Sequence, residues 1–114
     1  MKNSATSIVA LGGLGEVGKN MYVITHEDEL VIIDAGVMFP EVGLLGVDYV
    51  IQDYTYLKQN ESKIKALIIT HGHEDHIGSI PYLLKELPLW LYTLLAGLIL
   101  VGIVTYKTIK DNKK

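Results

Sequence analysis

The chain contains no cysteine. Disulfides, thiolate zinc sites, iron–sulfur clusters and cysteine nucleophiles are therefore excluded. Arginine is also absent: all 10 basic residues are lysines, set against 13 Asp and Glu, for a net charge of -3. The charge is unevenly spread. Residues 1–88 hold 6 Lys and 12 acids, net -6, and residues 89–114 hold 4 Lys and Asp111, net +3. An acidic, arginine-free body offers no basic patch for nucleic acid. The start of the chain lacks the basic n-region and continuous apolar run of a signal peptide, since polar Asn3, Ser4, Thr6 and Ser7 follow Lys2. The expected location is cytoplasmic. Internal repeats and low-complexity linkers are missing as well, and 114 residues allow one small domain.

What is present reads as an α/β (α+β) body. Ile8–Leu11 is a short apolar run ending at Gly12-Gly13, and Met21–Thr25 is β-branched and aromatic, as strands are. The polar segment His26-Glu27-Asp28-Glu29 predicts a turn, so residues 21–34 form a hairpin with Leu30–Asp34. Ala35–Val47, with Gly36, Pro40, Gly43 and Gly46, predicts a loop. Val50, Tyr54 and Leu57 at i, i+4 and i+7 predict a partly helical Asp48–Asn60. Ala66–Thr70 suits a central strand, and Ser79–Leu87 a short helix with Pro81 in its first turn. Gly13-x-Gly15-x-x-Gly18, with Asp34 sixteen residues on, imitates a dinucleotide fingerprint. Only twelve residues separate Gly18 from Val31, which fits a hairpin and leaves no room for the helix that would hold a pyrophosphate.

Three of the four histidines lie in His71-Gly72-His73-Glu74-Asp75-His76, directly after the apolar run. In an extended stretch His71 and His73 project to one side and can meet one ion. Asp75 and His76 lie where the chain turns into the next helix and can address a second. Imidazole and carboxylate suit Zn²⁺ or Mn²⁺, and two such ions can clamp the oxygens of a phosphoryl displacement. His26, beside Glu27 and Asp28, reads as solvent-exposed.

His71-x-His73-x-Asp75-His76 resembles the signature of the metallo-β-lactamase fold. The stretches Ala10–Asn20, Ile32–Gly36, Phe39–Glu41, Leu45–Val50, Thr70–Gly78 and Pro81–Leu84 resemble the N-terminal part of bacterial ribonuclease J, in the β-CASP branch of that fold. Gln52 departs from the pattern, standing where the family often has proline. The resemblance implies a partial αβ/βα sandwich. It implies a first zinc on His71 and His73, and a second on Asp75 and His76, with Mn²⁺ an alternative ion. Asp34 would orient the ligand loop, and the loop of Gly12, Gly13, Gly15, Glu16, Gly18 and Asn20 would border the site. RNA would be the substrate, cut as a 5′-to-3′ exonuclease and an endonuclease. The family's remaining ligands come from later segments, whereas here no histidine follows His76 and the only later acids are Glu86 and Asp111. The expectation for this chain alone is weak metal binding and little or no cleavage, with exposed strand edges and a full-length ribonuclease J subunit as a candidate partner.

The tail changes character. The eighteen residues 89–106 carry no charge and fourteen are hydrophobic. As a helix they would span roughly 27 Å, near a bilayer core. Trp90, Tyr92 and Tyr106 stand at the ends, as interfacial anchors do. The chain thus divides into a metallo-β-lactamase-like body (1–88), an apolar segment (89–106) and a basic tail (107–114). The segment admits three readings: a transmembrane or interfacial helix, a buried helix, or the product of a frameshifted or truncated gene. Correspondingly, the chain reads as part of a ribonuclease, as a membrane-tethered binding module, or as a product without its own function.

Overall fold

The computed structural model describes residues 4–87 and 103–113. Four strands, β1 (Thr6–Gly12), β2 (Met21–His26), β3 (Glu29–Ile33) and β4 (Ile64–Ile68), form one sheet in the order β1-β2-β3-β4. The first two pairings are antiparallel and β3–β4 is parallel. Parallel neighbours need a crossover connection, here residues 34–63. That connection contains the short helix α1 (Thr55–Gln59) and a 3₁₀ turn (Glu61–Lys63). After β4 come α2 (Glu74–Ile77) and α3 (Ile80–Glu86).

The hairpin closes more tightly than the sequence implies. His26 pairs with Glu29, so the turn is Glu27-Asp28 alone, with Glu27 in the left-handed region at φ 52°. Alternation then decides the faces. Met21 and Val23 of β2 and Leu30 and Ile32 of β3 are fully buried, and Val23 sits opposite Ile32. Ala35, Tyr54, Leu57, Leu83 and Leu87 complete the core. Burying a leucine of this kind stabilises by about 1.5–3 kcal/mol, so the core depends on α1 and α3 lying against this sheet face.

Two sequence expectations need correction. Val50 does not join a helix with Tyr54 and Leu57. Its N–H and C=O pair with Met38 at 2.8 and 2.9 Å in an isolated bridge. The helix starts only at Thr55, whose N–H and hydroxyl are taken by Asp53 Oδ1 at 2.8 and 2.6 Å. The apolar run after Lys65 does form a strand, but among the described residues it is the last of the sheet and not central. Ile68 is accordingly 50% exposed.

No helix lies between β1 and β2, which disposes of the dinucleotide fingerprint. Most of the apolar segment 89–106 lies outside the described residues; 103–112 are helical. Among the described residues, no helix is long and apolar enough to cross a membrane.

Candidate metal centre

Because β3 and β4 run parallel, their C-terminal ends deliver Asp34 and Thr70 to the same rim. Asp34 N–H bonds Ile68 O at 2.8 Å, and the residue sits in the left-handed region at φ 64° with only 3% exposure. A non-glycine residue held there is uncommon, although Asp tolerates it better than most. Its side chain is fully used. Oδ1 accepts the Thr70 N–H at 2.8 Å, while Oδ2 accepts the Thr70 hydroxyl at 2.8 Å and His76 Nδ1–H at 2.7 Å. Burial by itself would raise the Asp34 pKa. The hydrogen bonds from the Thr70 backbone, from His76 and from the Thr70 hydroxyl outweigh it and hold the carboxyl below its ordinary value.

These bonds fix two imidazole tautomers. An ionised carboxylate only accepts, so the Thr70 hydroxyl spends its proton on Asp34. The hydroxyl is then an acceptor toward His71 Nδ1, 3.0 Å away. Both His71 and His76 therefore carry their proton on Nδ1 and present an Nε2 lone pair, the form that ligates metal. One carboxylate sets both rings, His76 directly and His71 through Thr70.

The turn that carries the candidate ligands is held from outside. A four-residue helix leaves its carbonyls without helical partners and is too short to persist alone. In α2 only Glu74 O has a helical donor, Gly78 N–H at 2.8 Å; the other donors come from the segment after β3 and from Asn20. Ala35 N–H bonds His76 O at 2.8 Å, and Val37 N–H bonds Glu74 O at 3.1 Å. Asn20 gives Asp75 O both its N–H at 3.1 Å and its Nδ2 at 3.0 Å. Gly36 makes this approach possible: a β-carbon there would overlap the Asp75 carbonyl.

The three ring side chains gather at this rim. His71 and His73 are edge to face with centroids 4.6 Å apart, and His71 and His76 are 4.0 Å apart. The sequence assigns His71–His73 and Asp75–His76 to separate pairs; the fold places His71 against both other rings. Asp75 Oδ2 is 3.4 Å from His76 Nε2. Of the glycine loop, Asn20 reaches the cluster, with Nδ2 3.4 Å from both Asp75 Oδ2 and His76 Nε2. Gly12, Gly13, Gly15, Glu16 and Gly18 shape the loop and make no hydrogen bond to the histidines. Glu16 accepts Gly13 N–H at 3.0 Å and pairs with Lys19 at 3.3 Å. His26 is exposed at the far end of β2, bonded to the Thr6 hydroxyl at 2.8 Å. The sequence reading gives no site role to Thr70 or Ser79, and notes Gln52 only as a departure from the family pattern. Gln52 and Ser79 are buried beneath the turn, and their roles come from contacts that no local pattern signals.

The donors suit a cation in part. With Nδ1 protonated, His76 Nε2 turns its lone pair toward a carboxylate oxygen, an arrangement that a positive ion between them relieves. Their 3.4 Å separation is close to the edge of a tetrahedron with bonds of about 2.0–2.2 Å. Among the described residues, however, no three His, Asp or Glu side chains are arranged to hold one ion.

The sequence signature of the metallo-beta-lactamase superfamily matches residues 14–89. The chain belongs to that superfamily, which implies metal-ion binding. Similarity is also high to named ribonucleases. The chain is 55% identical to ribonuclease J 1 of Streptococcus pyogenes over 92 residues, covering 81% of this chain and 16% of that protein. It is 50% identical to ribonuclease J of Mycoplasma pneumoniae over 111 residues, 95% of this chain and 20% of that protein. The match to ribonuclease J 2 of Staphylococcus aureus, 46% over 113 residues, covers 99% of this chain and 19% of that protein, and so runs through the apolar segment. The chain thus spans at most a fifth of the length of these relatives.

Proposed function

We propose that this chain carries the first part of the metal centre of a zinc-dependent ribonuclease and is not an autonomous enzyme. The observation that carries the reading is the bonded series His71–Thr70–Asp34–His76, which leaves both Nε2 lone pairs ready for metal. His71 and His73 would hold one ion, and Asp75 and His76 the other; Mn²⁺ would suit the same donors. Divalent ions bound there would neutralise the charge of an RNA phosphodiester and ease its hydrolysis. The chain's own residues do the positioning. Asp34 and Thr70 fix the ring tautomers, and Asn20 holds the Asp75 carbonyl and stands beside its carboxylate. A catalytic zinc ordinarily has three protein ligands, so the remainder must come from further polypeptide, with RNA as the substrate of the completed site.

Zinc content and cleavage of a 5′-monophosphorylated RNA test this. The expected result is less than one tightly bound zinc per chain, no cleavage by the chain alone, and loss of the residual zinc in His73→Ala. Retention of zinc by His73→Ala overturns the ligand assignment. Cleavage by the chain alone overturns its dependence on further polypeptide.

A further inference from the structure

Beneath the ligand turn lies a buried carboxamide that the metal-site reading leaves unused. Gln52 is 4% exposed. Its Nε2 donates to Lys19 O and to Gly36 O, both at 2.8 Å, and its Oε1 accepts the hydroxyl of fully buried Ser79 at 3.0 Å. Each partner belongs to a segment that grips the turn. Lys19 precedes Asn20, the residue that bonds Asp75 O. Gly36 is packed on the Asp75 carbonyl, and its N–H bonds Asn20 O at 3.0 Å. Ser79 follows α2 and gives its N–H to Ala35 O at 2.9 Å. Two carbonyl oxygens converge on one amide nitrogen, which supplies two protons, the number needed. Replacing that nitrogen by an oxygen or a methyl group leaves one buried and one part-buried carbonyl without this donor.

We infer that Gln52 is a positioning residue for the metal-binding turn, joining the Lys19 and Gly36 segments so that Asn20, Asp75 and His76 keep their mutual placement. It touches no metal donor itself. A group bonded directly to a ligand typically alters metal affinity by about 10–100-fold when lost; Gln52 acts one step further back, through Lys19–Asn20 and Gly36, so a smaller fall is expected. The role assumes that the turn binds metal as proposed, and the test keeps the two ideas apart.

Gln52→Met retains length and apolar bulk while removing the donors and the acceptor. Gln52→Glu retains the acceptor and loses the paired donors. Ser79→Ala removes only the third bond. Two quantities are read on the full chain, at a temperature where circular dichroism shows each variant folded. The first is hydrogen-exchange protection of the Asn20 and Gly36 amides, relative to Val23 and Val31 in the hairpin. The second is Co²⁺ affinity, followed by visible absorption. In Gln52→Met and Gln52→Glu the Asn20 and Gly36 amides should lose protection while the hairpin amides keep theirs, and Co²⁺ affinity should fall measurably, by up to about tenfold; Ser79→Ala should show a smaller loss. Unchanged relative protection overturns the positioning role whether or not cobalt binds. A uniform loss of protection with unchanged cobalt affinity also overturns it, showing a merely structural part. Absence of cobalt binding by the unmodified chain refutes the metal-site reading instead, and the exchange pattern then decides the role of Gln52 alone.

Discussion

Thr70 gives Asp34 two hydrogen bonds at once, from its backbone N–H to Oδ1 and from its hydroxyl to Oδ2, each 2.8 Å long. The pair ties the end of β4 to the residue just past β3 and leaves the hydroxyl as an acceptor for His71. Thr70→Val keeps the β-branched shape and the backbone bond but deletes this relay. It should cost about 1–3 kcal/mol in urea denaturation, since the buried Asp34 carboxylate loses one of its donors. The His71 ring should lose its Nδ1–H preference, read by ¹⁵N NMR of the imidazoles. Thr70→Ser should restore both.

Asp34→Asn probes the charge without disturbing the backbone, because Asn also tolerates φ near 64°. The amide offers one oxygen against three donors, so at least one of the Thr70 and His76 bonds is lost. Stability should fall by about 1–3 kcal/mol, and zinc affinity should fall with it. Equal zinc affinity in the variant would show that His76 is not oriented by this carboxylate.

Gly36→Ala should be among the most damaging single substitutions outside the core. The new β-carbon overlaps the Asp75 carbonyl, so the ligand turn must move away from its donors at Ala35 and Val37. A loss of about 1–3 kcal/mol or more is expected, with loss of zinc binding. Chemical denaturation and zinc content measure the two effects.

Asp53 supplies a pH dependence away from the metal site. Hydrogen bonds from the Thr55 hydroxyl and then the Thr55 N–H hold its carboxyl below the ordinary value. A lowered folded pKa means that the contribution is complete above the unfolded value of about 3.9 and is lost as pH falls through the folded value. The start of α1 should therefore loosen below about pH 4, seen as an upfield shift of the Thr55 amide proton. Asp53→Asn accepts the same bonds without titrating and should abolish the shift.

Zinc should raise the melting temperature of the chain if it binds the folded state selectively. His73→Ala should remove most of that rise, and a chelator should reverse it in the unmodified chain. An equal rise in both proteins would place the ion elsewhere.

The parts legible in the sequence were those encoded by neighbours along the chain. The β-branched and aromatic run Met21–Thr25, the polar turn after it and the apolar run from Leu30 marked the hairpin, and crowding of His71, His73, Asp75 and His76 marked the candidate centre. Val50 misled because its spacing to Tyr54 and Leu57 matched a helix, while its backbone found a better partner in Met38 across the loop. The run at Ala66–Thr70 looked central because uninterrupted apolar strands are usually covered on both faces; here Ile68 stays half exposed. The link from Gln52 to Lys19, Gly36 and Ser79 had no local signature, since it joins residues far apart in the chain through one buried amide. Thr70 was similarly hidden, as a threonine at a strand end is unremarkable until Asp34 is placed beside it.

The grip of residues 35–37 and Asn20 on α2 has a thermodynamic consequence. A flexible ligand loop loses conformational entropy when it closes on an ion. Here that ordering takes place during folding, when the backbone carbonyls of the turn find their donors. If Asp75 and His76 bind an ion as proposed, its capture is docking onto a rigid rim, and its affinity should follow the folded fraction of the sheet through any denaturation series.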